Sequence, residues 1–310
     1  MLRCGSQGGI TQNRTPARML IYLSTARHDY TIRELFLGPG ERFRPHVVPM
    51  DYDRALATVV DALPRATWVF TDFDRLDPDR SASAAILWQR LADRGDRLLN
   101  HPTRSMRRFE LLRAMHAAGI NAFDVWHLTD RRAPTRYPVF LRRADAHAGP
   151  LSQLLHDPDQ LRRAIARLFA DGVPRDQLII VEYCDTRGAD GLFRKYGVGR
   201  FGPDLMTFHL QIGTEWASKA GGRVRTDDVV AEEMAYIDAS PHLEMARTLF
   251  DMARIDYGRI DFGLRDGRPQ VWEINSNPTL YGMQRIGAGH SRREAGLLRM
   301  FDRLLAGPAG

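Results

Sequence analysis

Apolar and polar positions alternate along the chain with two different periods. Met19–Leu23, His46–Met50, Trp68–Thr71 and Arg97–Leu99 are short apolar runs of strand length. Between them, Tyr52–Leu63 and Ala82–Arg94 repeat their apolar residues at helical spacing. Strands separated by helices of this length predict parallel βαβ units, an open α/β sheet over residues 19–100. The pattern then changes. A helix opens after Leu99, with Thr103 or Ser105 as its cap, and runs to Ala118, where Gly119 stops it. Tyr137–Arg143 and Gln177–Cys184 read as strands around a helix at Asp159–Ala170. A strand starting near Gly191 turns at Gly199–Gly202 and returns over Leu205–Ile212. A loop from Thr226 enters a helix reaching Ala235, and a second helix spans Pro241–Ala253. After an irregular loop at Thr279–Ala288, Ser291–Leu305 reads as a closing amphipathic helix.

The most informative stretch is Tyr257–Pro278. Two runs, Gly258–Leu264 and Gln270–Asn275, flank Asp266-Gly267, and an Asp-Gly pair between alternating runs is a strong hairpin signal. Side chains alternate faces along a strand. Arg259, Asp261 and Gly263 therefore share one face, opposed by Ile260 and Phe262. Val271, Glu273 and Asn275 share a face on the second run, opposed by Trp272 and Ile274. Folding about Gly267 sets Asp261 opposite Glu273, and Arg259 opposite Asn275. Facing carboxylates repel across a ladder, so the pair needs a compensating charge. A hard divalent cation with oxygen ligands supplies it.

Composition narrows the partners. The 310 residues are 44% hydrophobic and 26% charged, an ordinary globular balance. No apolar run has the length of a membrane span, so no membrane association is expected. The leader, Met1–Arg18, is polar and glycine-rich, without a signal-peptide core, and is expected to be disordered. Two cysteines, Cys4 and Cys184, fit a reducing cytoplasm. The net charge of +6 comes from arginines interleaved with acids, not from a basic block, which argues against nucleic acid. Only Lys195 and Lys219 are lysines among 44 basic residues, and that scarcity singles both out. No dinucleotide fingerprint or P-loop follows any strand.

Gly258-Arg-Ile-Asp-Phe262, followed twelve residues after Asp261 by Glu273-Ile-Asn-Ser-Asn-Pro278, resembles the metal-binding end of the ATP-grasp enzymes. These include D-alanine–D-alanine ligase, glutathione synthetase and the glutamate ligases of ribosomal protein tails. The resemblance covers roughly Leu99–Leu280. It implies an α/β (α+β) ATP-grasp fold with an N-terminal open α/β pre-grasp domain at 19–100. The ATP-grasp domain would span 101–310: a nucleotide-binding subdomain at 137–195, a metal and phosphate subdomain at 196–290, and the closing helix at 291–310.

The resemblance also implies ligands: ATP, and Mg2+ or Mn2+ held by Asp261, Glu273 and Asn275. Arg259 would contact phosphate or the acyl-phosphate intermediate. Arg108 and Arg142 stand where the family carries nucleotide-binding lysines, and Arg still donates to phosphate through a bidentate fork. Ala144–Ser152 fills the place of the phosphate loop, with His147 and Gly149 as its contacts. Glu182, Tyr183 and Cys184 match the hinge whose backbone pairs with adenine, and Asp185 or Asp190 the ribose acid. Arg194 matches a family arginine, Lys219 is a candidate phosphate or substrate contact, and Ser276 and Asn277 face the acceptor. The implied activity is ATP-dependent joining of a carboxylate to an amine, on small-molecule or peptide substrates. The same hairpin would serve an ATP-grasp kinase, and a degraded ATP-binding protein would account for the missing lysines. A homodimer stays open.

Overall fold

The computed structural model describes residues 19–130, 132–145, 149–217, 222–280 and 290–306, the side chains of 290 and 291 excepted. The chain begins as the alternating pattern predicts: β1 (Leu20–Ser24), α1 (Tyr30–Arg33), β2 (Val47–Asp51), α2 (Tyr52–Ala57), β3 (Thr67–Phe70), α3 (Pro78–Asp93) and β4 (Arg97–Leu99). The strands form a parallel sheet in the order β2-β1-β3-β4. Covered on both faces, β1 is apolar except for its last residue and buried throughout. α2 stops at Ala57, well short of Leu63, where Thr58, Val59 and Val60 bring β-branched side chains with poor helix propensity.

Next come α4 (Arg108–Ala117), β5 (Val125–His127), β6 (Val139–Arg143), α5 (Pro158–Ala170) and β7 (Leu178–Glu182). The strands pair antiparallel in the order β5-β7-β6. α4 starts later than the sequence suggests because the preceding residues tie domains together. Asn100, in the left-handed region at φ 62°, donates through Nδ2 to the Phe70 and Tyr257 carbonyls and accepts the Asp256 and Tyr257 amides. Ser105 donates to the Arg254 carbonyl at 2.7 Å and caps nothing.

A second antiparallel sheet, ordered β11-β10-β8-β9, follows: β8 (Phe193–Phe201), β9 (Asp204–Gly213), α6 (Asp227–Ala239), α7 (Leu243–Ala253), β10 (Tyr257–Arg265), β11 (Arg268–Asn275), and then α8 (His290–Ala306). The β8–β9 turn falls at Gly202, not at Gly199, because Gly202 supplies the positive φ of 67°. Core packing runs from Trp68 and Phe70 of the first sheet through Tyr196, Ile260 and Phe262 of the last. Among the described residues no helix is long and apolar enough to cross a membrane.

Candidate active site

The β10–β11 hairpin sets the geometry. Asp266 and Gly267 both have positive φ, 52° and 72°, and form a two-residue turn between Arg265 and Arg268. That turn alone would align Asp261 with Trp272. A β-bulge between Asp261 and Phe262 inserts Trp272 as an extra residue, and above it Asp261 pairs with Glu273 and Arg259 with Asn275. Below the bulge the phase reverses. Val271, expected on the polar face, lies opposite Phe262 in the core, while Trp272, expected among the apolar residues, lines a cleft.

The cleft lies between the two antiparallel sheets, with a volume of about 130 Å3. Its walls include Leu112, Phe140, Val181, Phe193, Trp216 and Trp272, and its polar lining includes Arg142, Lys195, Asp261 and Glu273. Asp261 is 1% exposed. Arg259 donates to its Oδ1 at 2.9 Å, and Lys195 Nζ lies 2.7 Å from its Oδ2. Burial pushes the Asp261 carboxyl upward, but Arg259, Lys195 and His209 outweigh it and hold the pKa down at about 2. Glu273 ion-pairs with Arg108 and, at 3.3 Å, with Arg142. Arg108 is braced by the Arg143 and Ala144 carbonyls, each 3.1 Å from its Nη1. Burial and the neighbouring Arg108 charge pull the Arg142 pKa down to about 10 against the attraction of Glu273.

Among the described residues four cationic side chains thus meet two carboxylates, an excess of two positive charges. Nε of Arg142 and Nε2 of His209 are buried with no hydrogen-bond partner among the described residues. Burial drives the His209 pKa well below the ordinary histidine value, so its ring is neutral at pH 7. The ring fits there because its neighbour across the ladder is Gly197; a Cβ at that position would meet it at 2.5 Å.

The other expected residues divide. Gly149, Glu182, Tyr183 and Cys184 line the cleft. The Glu182 carboxylate is taken up by Arg136 and by the Asp124 amide at 2.9 Å, and its own amide donates to the Asp124 carbonyl at 3.0 Å. Asp190 and Arg194 are outside the cleft lining. They pair with each other at 2.8 Å, and Arg194 also holds Glu232. Neighbouring residues of a strand face opposite ways, so Arg194 and Lys195 cannot both enter, and Lys195 does. Strand phase offered the signal: Lys195, Gly197 and Gly199 share a face with the strand opposite Asp261. Asp185 forks onto the exposed Arg187. His147 and Lys219 lie outside the described residues.

Ser276 and Asn277 do not face an acceptor site; they are 1% and 5% exposed. Ser276 Oγ accepts the Asp72 amide. Asn277 Oδ1 accepts from Tyr22 at 2.7 Å and from Thr31, and its Nδ2 donates to Asp72 and to the His28 carbonyl. They lock the end of the hairpin to the parallel sheet.

Comparison with solved structures matches this fold over nearly the whole chain. A D-alanine–D-alanine ligase from Bacillus anthracis complexed with ATP superposes with a TM-score of 0.54 at 13% identity, covering 93% of this chain and 96% of that one. A RimK domain ATP-grasp protein from Sphaerobacter thermophilus gives 0.53 at 16%, covering 93% and 100%. The chain has the ATP-grasp fold. The ATP-grasp ligase PsnB, in complex with a precursor variant, Mg and ADP, is similar at TM-score 0.53 and 14% identity over 91% and 97%. No family model matches the sequence, and no curated protein matches it.

A divalent ion was expected on Asp261, Glu273 and Asn275. Among the described residues no group of three or more His, Cys, Asp and Glu side chains gathers as a metal cluster. Asn275 Oδ1 accepts the Asn277 amide at 2.9 Å. Glu273 fits a hard ion: it lines the cleft, and Mg2+ needs only one or two carboxylates when phosphates complete its shell.

Proposed function

We propose that this chain is an ATP-dependent carboxylate–amine ligase acting through an acyl phosphate. The observation that carries the reading is the unbalanced charge at the polar end of an aromatic-walled cleft. Arg108, Arg142, Lys195 and Arg259 converge on Asp261 and Glu273 with two charges in excess, which complements a metal-bound triphosphate. Two fold neighbours support it: one was solved with ATP and another with Mg and ADP.

In this reading the base slots between Phe140, Val181 and Trp272, with its edge against the backbone of Glu182, Tyr183 and Cys184. Gly149 lets the loop backbone approach the phosphates. Mg2+, held by Glu273 and the phosphates, would neutralise charge on the transferring group. Arg108 and Arg142 turn from Glu273 to the phosphate oxygens. The Nε of Arg142, which has no partner among the described residues, is an extra donor for them. A substrate carboxylate oxygen attacks the γ-phosphorus and ADP departs; an amine nitrogen then attacks the acyl carbon, loses a proton and expels inorganic phosphate. Arg259 stabilises charge on the acyl phosphate.

The test is ADP release from Mg·ATP with pooled amino acids and small carboxylic acids, beside Glu273→Ala. Release that needs a pool member and falls about a thousandfold in the variant is expected. Full turnover in Glu273→Ala would sink the assignment, and a stable phosphorylated product would make the enzyme a kinase.

A further inference from the structure

The two carboxylates that face each other across the β10–β11 ladder are compensated in different ways. Glu273 is held by Arg108 and Arg142, the side chains assigned above to the phosphates. Asp261 is held on both oxygens, Oδ1 by Arg259 and Oδ2 by Lys195, and is closed off from solvent. Lys195 has little room to leave. Its side chain is 18% exposed, and it projects from β8, whose next residues, Tyr196 and Gly197, pair with Phe262 and Asp261. His209 comes within 3.8 Å of the Asp261 Oδ1 from the third strand. A divalent ion on Asp261 would therefore enter beside an ammonium and a guanidinium, and like charges at that range repel strongly in a buried site.

We propose that Lys195 takes the place of a metal ion at Asp261, so that the cleft binds its nucleotide with one divalent ion, carried by Glu273. This rests on the nucleotide reading given above. Lysine is suited to the role as a compact point charge on a long stem, and in this chain lysine is otherwise almost absent: 42 of the 44 basic residues are arginine. Arginine at the same position would keep the charge but spread it over a wider fork.

Mn2+ bound in the presence of a non-hydrolysable ATP analogue, counted by equilibrium dialysis and examined by electron paramagnetic resonance, tests the assignment without turnover. Wild-type protein is expected to hold a single Mn2+ per chain with the spectrum of an isolated ion. Lys195→Ala, which uncovers Asp261, is expected to take up a further ion and show exchange coupling, whereas Lys195→Arg keeps the single isolated ion. A coupled pair in the wild type, or a folded Lys195→Ala variant that still binds only one, overturns the proposal. If Lys195→Ala fails to fold, the wild-type count decides alone. Analogue binding without any Mn2+ also overturns it but leaves the nucleotide site standing; no analogue binding at all sinks the functional reading itself.

Discussion

The hairpin carries two polar regions only a few residues apart, and they are built on opposite principles. At its end, Ser276 and Asn277 join Tyr22, Thr31 and Asp72 in a buried network in which both ends of the Asn277 amide are bonded. On its face, cations outnumber carboxylates, and the buried Nε of Arg142 and Nε2 of His209 have no hydrogen-bond partner among the described residues. Buried polar groups are costly unless paired. The first region meets that requirement within the chain; the second leaves it to a ligand. Polar residues of similar burial thus hold the fold in one place and await chemistry in the other, and the difference is legible in how completely they are satisfied.

Substitutions at three positions sharpen the contrast. Arg142→Ala should weaken ATP binding about a hundredfold, since a charge-assisted phosphate contact deep in the cleft is lost. Arg142→Lys should recover much of it, and isothermal titration with ATP distinguishes the cases; unchanged affinity in Arg142→Ala would remove that residue from the site. Asn277→Ala should cost about 2 kcal/mol of stability, because it removes the acceptor of the buried Tyr22 hydroxyl and one of the donors to Asp72. Thermal melts would register a loss of several degrees, with ATP affinity per folded molecule little altered. Arg194→Ala should do least. Its exposed partners make it worth below about 1 kcal/mol, and ATP affinity should stay within error. A large fall in affinity would mean that Arg194, not Lys195, serves the nucleotide.

Much of this was readable in the residues. The parallel sheet followed from alternating periods, and the pairing of Asp261 with Glu273 followed from the hairpin signal. The pairing came out right although the turn is one residue tighter than folding about Gly267 assumes, because the bulge at Trp272 makes up the difference. Alternation cannot encode a bulge, so Val271 and Trp272 were assigned to each other's surroundings. Motif matching favoured Arg194 over its neighbour because it compares residue types, whereas strand phase decides which side chain enters the cleft. The role of Ser276 and Asn277 was hidden for another reason. Their partners lie more than 200 positions away in sequence, and no local pattern announces a contact of that separation.

That separation has a consequence for assembly. Tyr22 and Asn277, 255 positions apart, are hydrogen-bonded in the folded protein, so the N-terminal sheet emerges from synthesis long before its last polar partners exist. Non-local contacts are repaid late, after the entropy of closing the intervening chain has been spent. Until the hairpin docks, Tyr22 of β1, Thr31 of α1 and Asp72 just after β3 are without their Asn277 partner, and water can solvate them in its place. Docking then dehydrates them in the same event that brings Asp261 and Glu273 to the cleft. A chain arrested before that step would carry the strands of the parallel sheet without the paired carboxylates that complete the cleft.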